Sequence, residues 1–363
     1  MIVAIRHSWL SKYSWPTALV IILLWHFTSR KQSNSTQIQY DGSHMKQTEC
    51  SFDEIKHDMS FHHGKSTHRH KSTKDTRLIK NTQLDVDLVL ASVKRTNTSW
   101  LDTALPSFHH KVYVVDDESA ALTVPLNKGN EAMVYLTHII NNYDNLAAVT
   151  VFVHADRYQW HNDDPDYDNA RILGRLNTAG VQEQGYVNLR CAWQFGCDTD
   201  LLPLRSRDEY QTALKADANY RPGFEQVYAS AFEALMPGRT VPHFVQVACC
   251  AQFAASRDAI LSHSKEDYIR YQKWIMDSEY DNGITGRVFE FLWHMILGKT
   301  AMSCPTAESC YCDNYGICDL KCENEGDCRT YKFPPDGAGQ EFPSGWPEIG
   351  FDGEAREISA DRI

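Results

Sequence analysis

The chain lacks any excess of positive charge. Its 36 Lys and Arg are outnumbered by 47 Asp and Glu, a formal net charge of -11 over 363 residues. That balance argues against nucleic acid as the main partner, because phosphate binding needs a basic surface. No apolar run reaches the ~20 residues of an ordinary membrane-spanning helix. The best candidate is Thr17 to Phe27, TALVIILLWHF. With Trp9, Leu10, Tyr13 and Trp15 it just spans a thin bilayer, its aromatics near one interface. Small residues are missing where a signal peptidase would cut, since the run ends in Trp25-His26-Phe27. This favours an uncleaved signal anchor over residues 15–29, behind a cytoplasmic tail of residues 1–14. A cleaved signal peptide and a secreted product is the alternative. Arg6 and Lys12 before the run balance Arg30 and Lys31 after it, so charge does not fix orientation. Internal repeats are absent as well.

Apolar residues are scarce from residue 30 to residue 84. Such a stretch cannot bury a core and is expected to be a flexible stem. It carries His57, His62, His63, His68 and His70. A His-rich tract can bind metal, but no fixed geometry is evident, and a solvated stem is the better reading.

What is present is ordinary globular composition, 42% hydrophobic and 23% charged, with 11 cysteines. Cys304, Cys310, Cys312, Cys318, Cys322 and Cys328 crowd into one short segment. In an exported chain such density means disulfides. Zinc is the alternative, through Cys310-x-Cys312 and Cys318-x3-Cys322, and an oxidising lumen disfavours it. The odd total leaves at least one thiol over, and Cys50 in the stem is the natural candidate. Cys191 and Cys197 are spaced to close a short loop. The vicinal Cys249-Cys250 is expected to be buried or disulfide-paired rather than catalytic. Asn34-Ser35-Thr36 and Asn97-Thr98-Ser99 are glycosylation sequons that fit the same compartment.

Beyond the stem the pattern changes. Asp85 to Val93, Lys111 to Val115, Val149 to His154 and Pro242 to Ala254 read as buried strands. Lys128 to Asn142, Phe224 to Met236, Lys265 to Met276 and Ile284 to Leu297 read as helices. Short apolar strands alternating with helices predict a lumenal α/β domain over 85–303 with a mainly parallel sheet. A disulfide-rich segment over 304–328 and a Gly/Pro-rich mobile tail over 329–363 follow. Ligands of such sheets bind beyond the carboxyl ends of the strands.

Four constellations stand near those ends. Asp116-Asp117 follows a strand, as a ribose- or metal-binding pair or as a capped turn. His154-Ala155-Asp156 opens the densest polar cluster, which runs through Trp160, His161, Asp163 and Asp164. In an extended chain His154 and Asp156 point the same way, and a divalent cation between them can hold a diphosphate. His161, Asp163 and Asp164 suit the same site or an acid/base role. Asn127-Lys128-Gly129-Asn130-Glu131 lies at a helix start, where free N–H groups favour anions; an ordinary helix entry capped by Asn127 is the plainer account. Glu290 and His294 fall at i and i+4, on one helix face. A carboxylate in an apolar helix needs a partner or a raised pKa, which suits a base, and Arg287 offers a plain ion pair instead.

At these motifs the chain resembles a mostly fungal family, domain of unknown function 3431. The matching stretches include VDLVLASVKRTNTSWLD, VYVVDDES, VPLNKGNEAMVYLTHIINNYDNL, VTVFVHADRYQWHNDDPDYDN, CCAQFAASRD, TGRVFEFLWHMILGK and the CPTAESCYC run. They cover about Asp85 to Cys322 in order. Leu297 stands where an aromatic is commoner. The layout looks like that of nucleotide-sugar glycosyltransferases with a single Rossmann-like, glycosyltransferase A-like domain. By that analogy the protein is a type II membrane protein of the Golgi or ER that transfers a sugar from a nucleotide-sugar to a glycan or small-molecule acceptor. Asp116, Asp117, Lys128 and Asn130 would bind the nucleotide. His154 and Asp156 would hold Mn²⁺ or Mg²⁺. Glu290 or Asp164 would act as base, with His161 beside it. His-Ala-Asp is not the Asp-x-Asp such enzymes commonly carry. The rivals are a non-catalytic carbohydrate or cell-wall binding protein using Tyr158, Trp160 and Trp193, and a metal-dependent hydrolase.

Overall fold

A computed structural model of the chain describes residues 85–194, 196–197, 201–216, 223–328 and 342–356. The tail, anchor and stem expected over residues 1–84, with Cys50 and the Asn34 sequon, lie outside the described residues. None of the described helices is long and apolar enough to cross a membrane.

The centre is a five-stranded sheet. Strands β1 (Val86–Ser92), β2 (His109–Val114) and β3 (Val149–His154) run parallel, with β1 in the middle of the three. Two short strands extend the β3 side, β4 (Tyr186–Asn188) and β5 (Phe253–Ser256), in the order β2-β1-β3-β5-β4. β5 runs antiparallel to both of its neighbours. The sheet is thus mostly parallel, within a mixed α/β domain.

Strand side chains alternate between faces, and here each face has its own core. Val89 and Phe152 pack on one side with Met133, Leu136, Tyr271 and Phe289. Leu88, Leu90, Val151 and Val153 pack on the other with Trp100, Leu173, Tyr311 and Tyr315. That is why β1 and β3 read as unbroken apolar runs rather than alternating ones. The first core belongs to helices α1 (Glu131–Asn142), α2 (Gly223–Leu235), α3 (Lys265–Asp277) and α4 (Asn282–Glu290). The second takes α5 (Ala307–Tyr315).

The structure corrects several expectations. The helix expected from Lys128 starts at Glu131, because Gly129 (φ 76°) and Asn130 (φ 52°) adopt left-handed backbone. The apolar stretch from Pro242 to Ala254 is no single strand. Gln246–Val247 pairs with Met302–Ser303, and β5 begins only at Phe253. Between them Cys249 and Cys250 form a disulfide with each other. The helix expected over Ile284 to Leu297 ends at Glu290, and a separate turn covers Trp293–Ile296. Glu290 and His294 therefore share no face: His294 is buried and its Nε2 bonds the Ala301 carbonyl at 3.2 Å.

Cys191 and Cys197 do not bond each other. Cys191 pairs with Cys310 and Cys197 with Cys304, while Cys312–Cys318 and Cys322–Cys328 close small loops. The first two tie the segment after β4 to the C-terminal segment across separations of 119 and 107 residues. Chain-entropy bookkeeping gives a bridge of that span roughly 4–5 kcal/mol, and two overlapping bridges do not add in full. Five disulfides place the domain in an oxidising compartment, lumenal or secreted. Part of the expected mobile tail is anchored. Trp346 is buried, its Nε1 donates to the Asp166 carbonyl at 2.8 Å, and Arg356 Nη2 donates to the Asp166 carboxylate at 2.7 Å.

Burial pushes the His294 imidazole down from 6.5 to about 4. The folded state thus holds His294 neutral where the unfolded chain protonates it. The stability involved is full above pH ~6.5 and is lost as pH falls through about 4. It amounts to about 3 kcal/mol. Between pH 7 and pH 4 the urea stability of His294→Gln is expected to fall less than that of wild type, by a difference of that order, while His154 and His161, also held neutral by burial, keep their own share of the dependence.

Candidate functional site

Where β1 ends at Ser92 and β3 at His154, the chain turns away and leaves a cavity of about 500 Å³. This is the crevice outside the carboxyl ends of parallel strands. Glu131, at the start of α1, forms one wall, and Arg287 and Glu290 of α4 form another. The two helix starts are tied together. The Gly129 N–H donates to Asn282 Oδ1 at 3.1 Å, and Asn130 Nδ2 donates to the Asn282 carbonyl at 3.2 Å. Gly286 makes room for this, since a Cβ there would lie 2.8 Å from Asn130 Nδ2.

Glu290 is held from two sides. It accepts from the Cys250 N–H at 2.6 Å and lies 3.1 Å from Arg287 Nε. His154 is also held by the Cys250 residue: its Nε2 lies 3.2 Å from the Cys250 carbonyl, so Nε2 carries the proton. The His154 ring stacks on His161 at 4.4 Å, and Trp160 packs on His161 at 3.9 Å. Gln252 braces this group, accepting from the His154 N–H and donating to the His161 carbonyl and Asn162 Oδ1.

These environments separate the charges. Burial pushes the His154 imidazole down to about 4, and it lowers His161 far below its ordinary value, helped by His154 and Arg190. Both rings are neutral at physiological pH. Burial pushes the Glu131 carboxyl up to about 8, with its own backbone amide opposing, the charge of Glu290 adding and Arg287 opposing. Glu131 is therefore protonated at neutral pH.

Of the expected site residues, Asn130, His154, Asp156, His161 and Glu290 line this one cavity. The i, i+2 reading of His154 and Asp156 agrees with that placement. The others point elsewhere. Asp116 accepts from the Lys94 N–H at 2.8 Å, and Asp117 caps Ser119 and pairs with Lys94 at 3.3 Å. The Lys128 ammonium donates to the Ser278 carbonyl. Asp164 is buried and accepts from the Asp166 and Asp168 N–H groups and from Arg171; burial pushes its carboxyl up to about 6. Asp163 is buried too, accepting from the Cys191 and Ala192 N–H groups and from the Tyr311 hydroxyl at 2.8 Å. Trp193 donates to the Pro305 carbonyl, and of the three aromatics expected to form a sugar platform only Trp160 lines the cavity.

His154 and Asp156 do not make a metal centre by themselves. Among the described residues no group of three or more His, Cys, Asp or Glu converges as ligands, and one nitrogen of His154 is occupied by the Cys250 carbonyl. Two side chains are too few to hold a resident cation without oxygens from a substrate.

The sequence reading gave no role to Glu131, Gln159 or Cys250, although all three line the cavity. Glu131 is visible beside the glycine-containing helix entry, but the charges that act on it, Glu290 and Arg287, lie on α4, which is distant in sequence.

The family model described as protein of unknown function (DUF3431) matches residues 88–313, more than half of the chain, and the chain belongs to that family. No curated protein and no solved structure matches it.

Replacing Asp163 with Ala would strand two backbone N–H groups and remove the acceptor of the Tyr311 hydroxyl bond. The expected cost is about 3 kcal/mol, read as a fall in the thermal or urea midpoint with the disulfides intact.

Proposed function

We propose that this member of the family is a lumenal, glycosyltransferase A-like enzyme that moves a sugar from a nucleotide-sugar donor to an acceptor hydroxyl. One observation carries the reading: two carboxyl groups line one cavity in different surroundings. Glu131 is kept protonated, with its carboxyl pushed up to about 8. Glu290 accepts from an amide N–H and a guanidinium, as a carboxylate does. A buried carboxyl beside one that is held by hydrogen-bond donors can provide an acid and a base in one site.

In the proposed step Glu290 accepts the proton of the acceptor hydroxyl. The acceptor oxygen then bonds to the anomeric carbon as the bond to the leaving oxygen breaks. Glu131 delivers its proton to that leaving oxygen. His154 and His161, both neutral, position substrate hydroxyls, and Trp160 offers an apolar face to a sugar ring. The location beyond β1 and β3 supports a nucleotide-bearing donor.

A carbohydrate-binding role without catalysis is favoured by one feature. Asp156 and Glu290 outnumber Arg287 in the cavity lining, which suits a neutral, hydroxyl-rich ligand better than a diphosphate. A panel of nucleotide-sugars, each with and without Mn²⁺, distinguishes the two. Donor hydrolysis or transfer is expected, and Glu290→Gln should lower kcat by roughly 100-fold or more. The rate should fall above about pH 8 as Glu131 loses its proton, and Glu131→Gln should abolish that alkaline limb along with most of the rate. Purified protein that binds no nucleotide-sugar would sink the transferase reading, and glycan binding retained in that case would favour the binding module.

A further inference from the structure

We infer that the Cys249–Cys250 disulfide is the positioning element of the site: it fixes the one residue whose backbone N–H holds Glu290 and whose carbonyl holds His154. This rests on the acid–base reading of the cavity and names what sets its geometry.

A bridge between adjacent residues closes no chain loop. The entropic benefit that long-range disulfides bring, which grows with loop length, is therefore not available to Cys249–Cys250. Its effect has to be local. The local backbone is unusual, since Cys250 has φ 89° and the next residue, Ala251, has φ 48°. Two consecutive left-handed non-glycine residues are strained and persist only where their surroundings impose them. The ring formed by the two side chains and their shared peptide is one such constraint.

The surroundings supply the rest. Asn188 Nδ2 donates to the Ala248 carbonyl at 2.8 Å, just before the bridge. Gly196 is packed against the same backbone, since a Cβ there would lie 2.5 Å from the Val247 carbonyl oxygen and 2.6 Å from the Cys249 nitrogen. Both cysteines are buried from bulk solvent, yet both line the cavity. Among the described disulfides they form the one that does so.

The consequence is specific. The amide that donates to Glu290 at 2.6 Å lies inside the disulfide ring, and the carbonyl that accepts from His154 at 3.2 Å lies on its edge. Opening the ring frees rotation about the single bonds on either side of that planar peptide, so the carboxylate loses its fixed donor. The imidazole loses its fixed acceptor in the same event. Neither sulfur touches the reacting atoms in this scheme. The bridge acts through Glu290 and His154, and its loss should appear in turnover rather than in donor affinity.

The test compares full-chain wild type with Cys249→Ser/Cys250→Ser, which leaves the other four described disulfides in place. Two readouts are taken: hydrogen exchange at the residue 250 amide by NMR, and kcat and KM for nucleotide-sugar hydrolysis. The amide should be protected in wild type and lose at least tenfold in protection in the variant. The kcat should fall about 100-fold, with KM within about threefold. If the double serine variant does not fold, Cys249→Ala/Cys250→Gly takes its place, because glycine adopts the left-handed φ without strain and still lacks the ring. Unchanged amide protection in a folded ring-free variant overturns the inference. So does lost protection with unchanged kcat. Lost protection in a protein whose wild type turns over no donor supports the positioning of Glu290 by the disulfide and removes the sugar-transfer reading instead.

Discussion

The carboxylate of Asp163 joins three parts of the molecule that are far apart in sequence. It is buried and receives the Cys191 and Ala192 N–H groups, just beyond β4, and the Tyr311 hydroxyl, from α5. Charge-assisted hydrogen bonds are the strong ones, and an interior carboxylate without them is costly. The loop from Asp156 to Asp168 cannot leave its place without stranding that charge. This loop also supplies Gln159, Trp160 and His161 to the cavity. The Cys191–Cys310 bridge lies beside the same contact and reinforces it covalently. The site's shape therefore depends on a residue that does not touch its interior.

Most of the sheet and the main helices were legible in the sequence, and the reasons are particular. β3 is an apolar run because both of its faces are covered, and its bounds Val149–His154 agree with the sequence reading. α3 starts at Lys265 as expected, because Ser264 and Asp267 form a capping box within four residues. Local signals carry local structure. The failures share a different cause. The Cys250 backbone breaks an apolar stretch that hydrophobicity alone reads as continuous. The disulfide partners of Cys191 and Cys197 lie more than a hundred residues away, beyond any spacing rule.

The candidate site was half legible for the same reason. His154, Asp156, His161 and Glu290 stand out because polar groups at strand ends or in an apolar helix are conspicuous. Which of the acidic residues face the cavity was not readable. Asp163, Asp164, Asp166 and Asp168 all turn inward, each to amide or guanidinium donors. Asp156, with no such donor hydrogen-bonded to its carboxylate among the described contacts, is left at the cavity. A carboxylate-rich loop can thus be mainly scaffold, and the acid of interest can come from a helix start instead. Glu131 is that case, since its protonation reflects desolvation and the neighbouring Glu290 rather than anything in its own sequence context.

The two long disulfides have a further effect on the covalent identity of the molecule. Cys191–Cys310 and Cys197–Cys304 enclose α2, β5, α3 and α4 within one closed ring of chain. A single protease cut anywhere inside that ring leaves both fragments joined. Such a nicked protein would migrate as one species until reduced, keeping β1–β3 and the Glu290 helix in one particle. In a protease-rich extracellular or lumenal setting, backbone cleavage and loss of the cavity are then separate events.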